Sequence, residues 1–145
     1  MKRMLMAASA LAFLAAANVS DANAGNRSVV EQHGYCNDAV ASQHGKRNKA
    51  YSYQRGRCNL ARTSQKGRRN LAVTGQQGAR NFAETIQEGR RNVSGIAQFG
   101  TDHSAVAEQY GDGNASAIIQ AGRSQSAETI QSGRHNMSIV IQGDR

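Results

Sequence analysis

One spacing governs this sequence: an eleven-residue unit recurs eleven times, without insertion, from Asn26 to Arg145, where the last copy ends at its tenth position. Position 1 of the unit is Asn except at His103 and Gln125, position 7 is always Gln, and position 9 is Gly except at Asp144. A period this strict indicates a repeat architecture, in which each unit packs only against its neighbours.

Alternate positions of the unit differ in character. Position 3 is always Ala or Ser, position 5 is small or β-branched, and within positions 1 to 7 the charged residues fall on positions 2, 4 and 6. A period of two indicates a β-strand with positions 1, 3, 5 and 7 facing inward. Glycine at position 9 then suits a tight arc with positive φ. An eleven-residue period could also specify a right-handed coiled coil, but large apolar seam residues are missing and each glycine would cost a helix roughly 1 kcal/mol.

A strand and an arc reverse the chain only once, so a closed coil needs two units per rung. The sequence Ala-Glu-Thr-Ile-Gln at 83–87 recurs at 127–131, a distance of two such rungs. We therefore predict an all-β fold: a β-solenoid of strand-arc units, two units per rung, with two parallel in-register sheets. Stacked rungs would let each buried amide hydrogen-bond to its twin on the next rung.

Two sets of residues follow from this prediction. The arc glycines are Gly34, Gly45, Gly56, Gly67, Gly78, Gly89, Gly100, Gly111, Gly122 and Gly133. The residues predicted to form amide ladders are Gln32, Asn37, Gln43, Asn48, Gln54, Asn59, Gln65, Asn70, Gln76, Asn81, Gln87, Asn92, Gln98, Gln109, Asn114, Gln120, Gln131, Asn136 and Gln142.

Residues 1–24 differ from the rest of the chain. Lys2 and Arg3 precede an apolar run at 5–17, and Ala22-Asn23-Ala24 matches a small-x-small cleavage site. We interpret residues 1–24 as a secretory signal peptide and residues 25–145 as one repeat domain. The apolar run is shorter than the ~20 residues that span a bilayer. Removal of 1–24 leaves 16 basic and 9 acidic residues, a formal charge of +7 (18 − 2 and 10 − 1).

The repeated pattern Asn-x-Ala/Ser-x-x-x-Gln-x-Gly-x-x closely resembles the curlin repeat of bacterial curli subunits, over residues 26–145. The resemblance implies export to the surface of a Gram-negative bacterium through a dedicated curli secretion pore. It also implies assembly, with itself and other curlin subunits, into extracellular amyloid fibres (pilus-like fimbriae) that serve cell adhesion and biofilm formation. In the family, ladder amides of the terminal repeats drive polymerisation. The matching residues are Gln32, Asn37, Gln43, Gln131, Asn136 and Gln142.

Two features depart from the major curlin subunit and favour the minor, nucleator-type subunit. The repeats begin at Asn26, without a preceding Gly-rich segment, and the chain is basic. Cysteine is also not one of the residue types that define the repeat pattern. Cys36 and Cys58 occupy the same slot two units apart, so we expect them on neighbouring rungs and predict a disulfide between them.

The charges are unevenly distributed, with 13 basic and 4 acidic residues at 26–91 against 3 basic and 5 acidic at 92–145. A rung of two units would stack six cations along one edge, a basic ridge formed by Lys46, Arg47, Arg68, Arg69, Arg90 and Arg91. Such a ridge would attract an anionic cell surface, lipopolysaccharide, extracellular DNA or acidic polysaccharide.

No nucleophile motif or metal-ligand spacing stands out, so we expect no enzyme activity, cofactor or metal. Two functions are compatible with the sequence. The first is a structural fibre subunit. The alternative is a basic β-solenoid that binds anionic polymers or the cell surface without polymerising.

Overall fold

A computed structural model describes residues 25–144. Every unit forms one β-strand followed by a short arc, because alternating inward and outward residues fit a pleated strand and each strand ends after its glycine. The strands are β1 Arg27–Tyr35, β2 Asp38–Lys46, β3 Lys49–Arg57, β4 Leu60–Arg68, β5 Leu71–Ala79, β6 Phe82–Arg90, β7 Val93–Thr101, β8 Ser104–Asp112, β9 Ala115–Arg123, β10 Ser126–Arg134 and β11 Met137–Gly143.

The strands form two parallel sheets that alternate along the chain. One sheet has the order β1-β3-β5-β7-β9-β11, and the other has the order β10-β8-β6-β4-β2. Each residue pairs with the same position two units away, so that Gln54 lies beside Gln76 and Gly56 beside Gly78. The predicted all-β solenoid with two units per rung is therefore confirmed. The stack is five and a half rungs tall, about 26 Å at ~4.8 Å per rung.

The space between the sheets is narrow and mostly polar, because the inward residues are small or carry amides. Ala50, Ala61 and Ala72 are fully buried, as are the amides of position 7 in the middle rungs. A small cluster around Ile96 and Ile118 forms the main hydrophobic core of the described residues. The amides therefore form much of the core, and their hydrogen bonds must carry much of the cohesion between rungs.

The arcs require two left-handed backbone positions. The position-9 glycines have φ between +102° and +128°. A Cβ on Gly56 would lie 1.9 Å from the carbonyl oxygen of Gly78 on the next rung, so close approach as well as φ demands glycine there. Position 11 has φ between 51° and 62° at nine non-glycine residues, a conformation that costs roughly 1–2 kcal/mol. This second position was not predicted from the sequence.

Residues 1–24, and with them the predicted signal peptide, lie outside the described residues. Between residues 25 and 144, no helix is long and apolar enough to cross a bilayer.

Candidate functional site

The glutamines of position 7 form two continuous ladders, one in each sheet. In the first sheet each Nε2 donates to the Oε1 of the glutamine on the next rung, from Gln32 through to Gln142, over 2.7–2.9 Å. The second sheet repeats this from Gln43 to Gln131. All of these side-chain amides point the same way, so the ladders have a direction.

The same glutamines also join the two sheets. The second proton of Gln54 Nε2 goes to the backbone carbonyl of Asp38, 2.8 Å away on the opposite sheet, and Gln87 reaches Leu71 in the same way at 3.0 Å. One buried amide thus donates along the stack and across it. Because both protons and the oxygen are used, burial leaves these groups satisfied.

The asparagines of position 1 do not form the amide-on-amide ladder that we expected. The Oδ1 of Asn48 instead accepts the backbone N–H of Asn70, 3.1 Å away on the next rung. Its Nδ2 donates to the carbonyls of His44 and Gly67. Direct bonds between asparagine side chains occur for Asn59 with Asn37 and for Asn136 with Asn114. The asparagines therefore fix the arcs, because the short side chain reaches the backbone before it reaches its twin.

His103 takes the place of an asparagine and reproduces two of its hydrogen bonds. It is buried (1% exposed), its Nδ1 accepts the backbone N–H of Gln125, and its Nε2 lies 3.1 Å from the carbonyl of Phe99. The tautomer with its proton on Nε2 fits both partners. The ring nitrogens stand in for the oxygen and nitrogen of an amide, so the substitution keeps the arc intact.

The two ends of the described stack are not alike. Gln32 and Gln43 accept nothing from a further glutamine, so each presents an open Oε1 at the β1–β2 end. At the other end, β10 and β11 each have one edge without a neighbouring strand. Apolar side chains are most exposed there, with Ile130 at 63%, Met137 at 76% and Ile141 at 72%.

The cysteines lie on neighbouring rungs in contact with each other. Both are free thiols in the structure, so the predicted disulfide is not formed in it and stays a prediction. A hydrogen bond to Cys58, together with some desolvation, raises the pKa of the Cys36 thiol. Both residues sit at the left-handed position 11, with φ of 58° and 51°.

The six cations of the basic ridge come together and line a groove of about 390 Å³ on one edge of the solenoid, formed by Lys46, Arg47, Arg68, Arg69, Arg90 and Arg91. Each rung contributes a pair from positions 10 and 11. Arg90 Nη2 also lies 2.8 Å from Asp112 Oδ2 on the next rung, which ends the run of positive charge. We call this feature the cationic groove.

The fold and the ladders define a class of protein: a parallel, two-sheet β-solenoid whose two-unit rungs are joined by glutamine ladders. Residues 78–111 match the family described as the curlin associated repeat, a segment that includes units six and seven complete. Residues 78–111 therefore carry curlin-type repeats. No curated protein matches the sequence.

Proposed function

We propose that this protein is a subunit of an extracellular, curli-like amyloid fibre, in which copies stack end to end and continue the solenoid. The observation that carries the proposal is the direction of the glutamine ladders. One end offers open acceptors on Gln32 and Gln43, and the amides at the other end, Gln131 and Gln142, point their Nε2 groups outward along the stack. Only head-to-tail stacking brings a donor to each acceptor.

Backbone edges support the same arrangement. A strand without a neighbour presents a row of N–H and C=O groups that can pair with another chain. β1 and β2 offer such edges at one end, and β10 and β11 offer them at the other. Because all strands are parallel and carry Gln at position 7, a second copy would pair in the register that the stack already uses. The exposed Ile130, Met137 and Ile141 would then be partly covered.

Gly133 provides a test of end-to-end stacking. Elsewhere a Cβ at position 9 would collide with the next rung, whereas at Gly133 the nearest atom to it is Asn136 Nδ2, 3.5 Å away. Gly133→Ala should therefore leave the isolated molecule folded, at the cost of some φ strain, and obstruct the next copy. We expect normal β-structure by circular dichroism and at least a tenfold slower elongation of wild-type seeds, followed with an amyloid dye.

A matched control is Gly75→Ala, since Gly75 lies on an outward position with no atom near its Cβ and no positive φ; it should elongate like the wild type. A second variant lacking residues 136–145, and hence β11, should also slow growth. Folded Gly133→Ala that elongates at the wild-type rate would refute end-to-end stacking. Fibres that never form would refute the fibre function itself.

The biological setting follows from the curlin repeat as a proposal. We infer secretion through a curli pore to the surface of a Gram-negative bacterium, and a role of the fibre in adhesion and biofilm formation. The short distance from the proposed cleavage site to Asn26 and the basic charge favour the minor, nucleating subunit. Substoichiometric protein should then shorten the lag phase of a major curlin subunit, and an unchanged lag would contradict a nucleating role.

The second candidate function is binding of anionic polymers or surfaces, lipopolysaccharide and extracellular DNA among them, by a solenoid that does not polymerise. The cationic groove favours it. Purified protein that binds polyanions and gives neither dye fluorescence nor a ~4.8 Å meridional reflection would support this candidate over a fibre subunit.

A further inference from the structure

The cationic groove is a regular array and not a loose surface cluster. Position 10 supplies Lys46, Arg68 and Arg90, position 11 supplies Arg47, Arg69 and Arg91, and all six line the same groove. Successive pairs are one rung, or ~4.8 Å, apart along the axis of the stack. The groove is therefore straight, runs parallel to the axis and repeats its charge with every rung.

The backbone holds this array in place. The N–H of Arg69 donates to the carbonyl of Lys46 at 3.0 Å, and the N–H of Arg91 donates to the carbonyl of Arg68 at 3.0 Å. Arg47, Arg69 and Arg91 all have φ between 56° and 60°, so their side chains leave the arc in the same direction. Like charges about 5 Å apart in water repel by about 0.8 kcal/mol per pair. A bound anion would remove this repulsion.

The opposite edge of the solenoid has no comparable array among the described residues. Its arcs carry Cys36, Cys58, Arg80 and Asp102 at position 11, and Arg80 forms an ion pair with Asp102 over 2.6 Å. The positive charge is thus concentrated on one of two edges that the repeat would otherwise make equivalent.

We propose that the cationic groove binds an extended acidic polysaccharide of the uronic acid type, lying along the axis of the stack. Such a chain carries one carboxylate per sugar ring, a spacing of the same order as one rung. A guanidinium pairs with a carboxylate through two parallel hydrogen bonds, and five of the six cations are arginines, of which Arg90 already pairs with Asp112. Release of the counterions held by the polymer adds to the affinity. The proposal does not depend on fibre formation.

Duplex DNA fits this groove less well. Its phosphates are spaced at about 3.4 Å per strand along the helix axis, and each strand winds away from a straight line. A straight groove would therefore meet few phosphates in succession, whereas an extended polysaccharide would run along the groove and bring carboxylates to its cations at regular intervals.

Two double substitutions separate the groove from net charge. Arg68→Ser with Arg69→Ser removes the middle pair of the groove, and Arg55→Ser with Arg57→Ser removes the same charge elsewhere on the solenoid. We expect freshly purified monomer to bind fluorescent oligogalacturonate with an affinity that falls as salt rises. The groove variant should bind about tenfold more weakly and the control within about twofold of the wild type, by analogy with the loss of two charge-assisted contacts.

Two deletions test geometry at nearly constant composition. Removal of residues 70–80 moves unit six to the other sheet, which separates Arg90 and Arg91 from the other four cations. Removal of residues 114–124 takes out one unit beyond the groove and leaves all six cations together, with Arg90 still beside Asp112. Each deletion removes one arginine and no acidic residue, so the two variants have the same net charge. We expect the first to weaken oligogalacturonate binding and the second to preserve it.

Equal losses in groove and control variants would show that only net charge matters and would overturn the proposal. Tighter, groove-dependent binding of duplex DNA or of lipopolysaccharide micelles than of oligogalacturonate would overturn the ligand class. Neutral dextran should not bind. Because every measurement uses monomer, failure to form fibres would not count against the groove, and loss of groove binding would not count against the fibre.

Discussion

At several positions of this solenoid, contacts with the backbone of the neighbouring rung determine which residue type fits. Position 9 is glycine because the neighbouring rung leaves no room for a Cβ, with 1.9 Å from a Cβ on Gly67 to the carbonyl oxygen of Gly89. Position 11 tolerates arginine, cysteine, serine and histidine at positive φ. The strain at position 11 is offset by the hydrogen bond that its N–H makes to the previous rung, as from Arg80 to Arg57.

Three buried threonine hydroxyls have no hydrogen-bond partner among the described residues. These hydroxyls belong to Thr74, Thr85 and Thr129, and each such group costs about 1–3 kcal/mol. At these three positions threonine contributes its β-branched shape to the strand and no side-chain hydrogen bond.

His103 yields a prediction at this scale. His103→Asn restores the usual amide of position 1 and keeps both hydrogen bonds, so it should cost less than one unsatisfied buried group would, about 1–3 kcal/mol. His103→Leu keeps a similar volume but leaves the N–H of Gln125 and the carbonyl of Phe99 without their partner, so it should lose about 2 kcal/mol or more at about 1–3 kcal/mol per group. Denaturant midpoints of the two monomeric variants measure the difference. Equal midpoints would show that the histidine does not act as an asparagine substitute.

The sequence predicted the inward and outward faces, the two-unit rung and the arc glycines because each depends on periodicity alone. It did not predict how the asparagines bond, since Asn and Gln differ by one methylene and only coordinates show that Asn48 reaches the backbone of Asn70. The left-handed position 11 was also missed, because arginine and cysteine there carry no sign of positive φ. The clustering of the six cations of the groove, from Lys46 to Arg91, was predicted, because it depends only on a rung of two units.

At the scale of the element, a strand such as β3 contributes one glutamine to a ladder, and the same glutamine forms one hydrogen bond to the opposite sheet. No described strand buries enough apolar surface to stand alone, because its inward side chains are small. Each strand is stable through the strands above and below it, as expected for repeat proteins. Interruption of a ladder should therefore be felt by both neighbours.

Gln87→Leu tests this dependence. The change leaves Gln65 Nε2, Gln109 Oε1 and the carbonyl of Leu71 without their partner, and we expect a loss of about 3 kcal/mol or more at about 1–3 kcal/mol per group. Gln32→Leu, at the exposed end of the other ladder, has one glutamine partner and should lose less. Urea unfolding of both variants provides the comparison, and similar losses would argue against cooperative ladders.

At the scale of the whole molecule, the number of units sets the length of the stack. Odd-numbered units belong to one sheet and even-numbered units to the other. Deletion of residues 92–113 removes one complete rung and keeps every remaining unit on its own sheet. We expect a folded solenoid, shorter by ~4.8 Å, whose urea m-value falls in proportion to the surface lost.

Deletion of residues 92–97 is the matched control, since loss of about half a unit leaves the downstream units out of phase with the repeat. Small-angle scattering and circular dichroism should show loss of ordered stacking after Arg91 in this variant. Loss of structure in the whole-rung deletion, or normal structure in the half-unit deletion, would contradict the independence of rungs.

The narrow amide interior also affects how the fold responds to temperature. Exposure of apolar surface raises the heat capacity on unfolding, whereas exposure of polar surface lowers it. With alanine and glutamine where most domains bury leucine, the heat capacity change per residue should fall below the usual ~12–15 cal/mol/K. The stability curve is then broad and shallow, and cooling removes little of its driving force. A molecule built in this way would keep its shape in the cold as readily as in warmth.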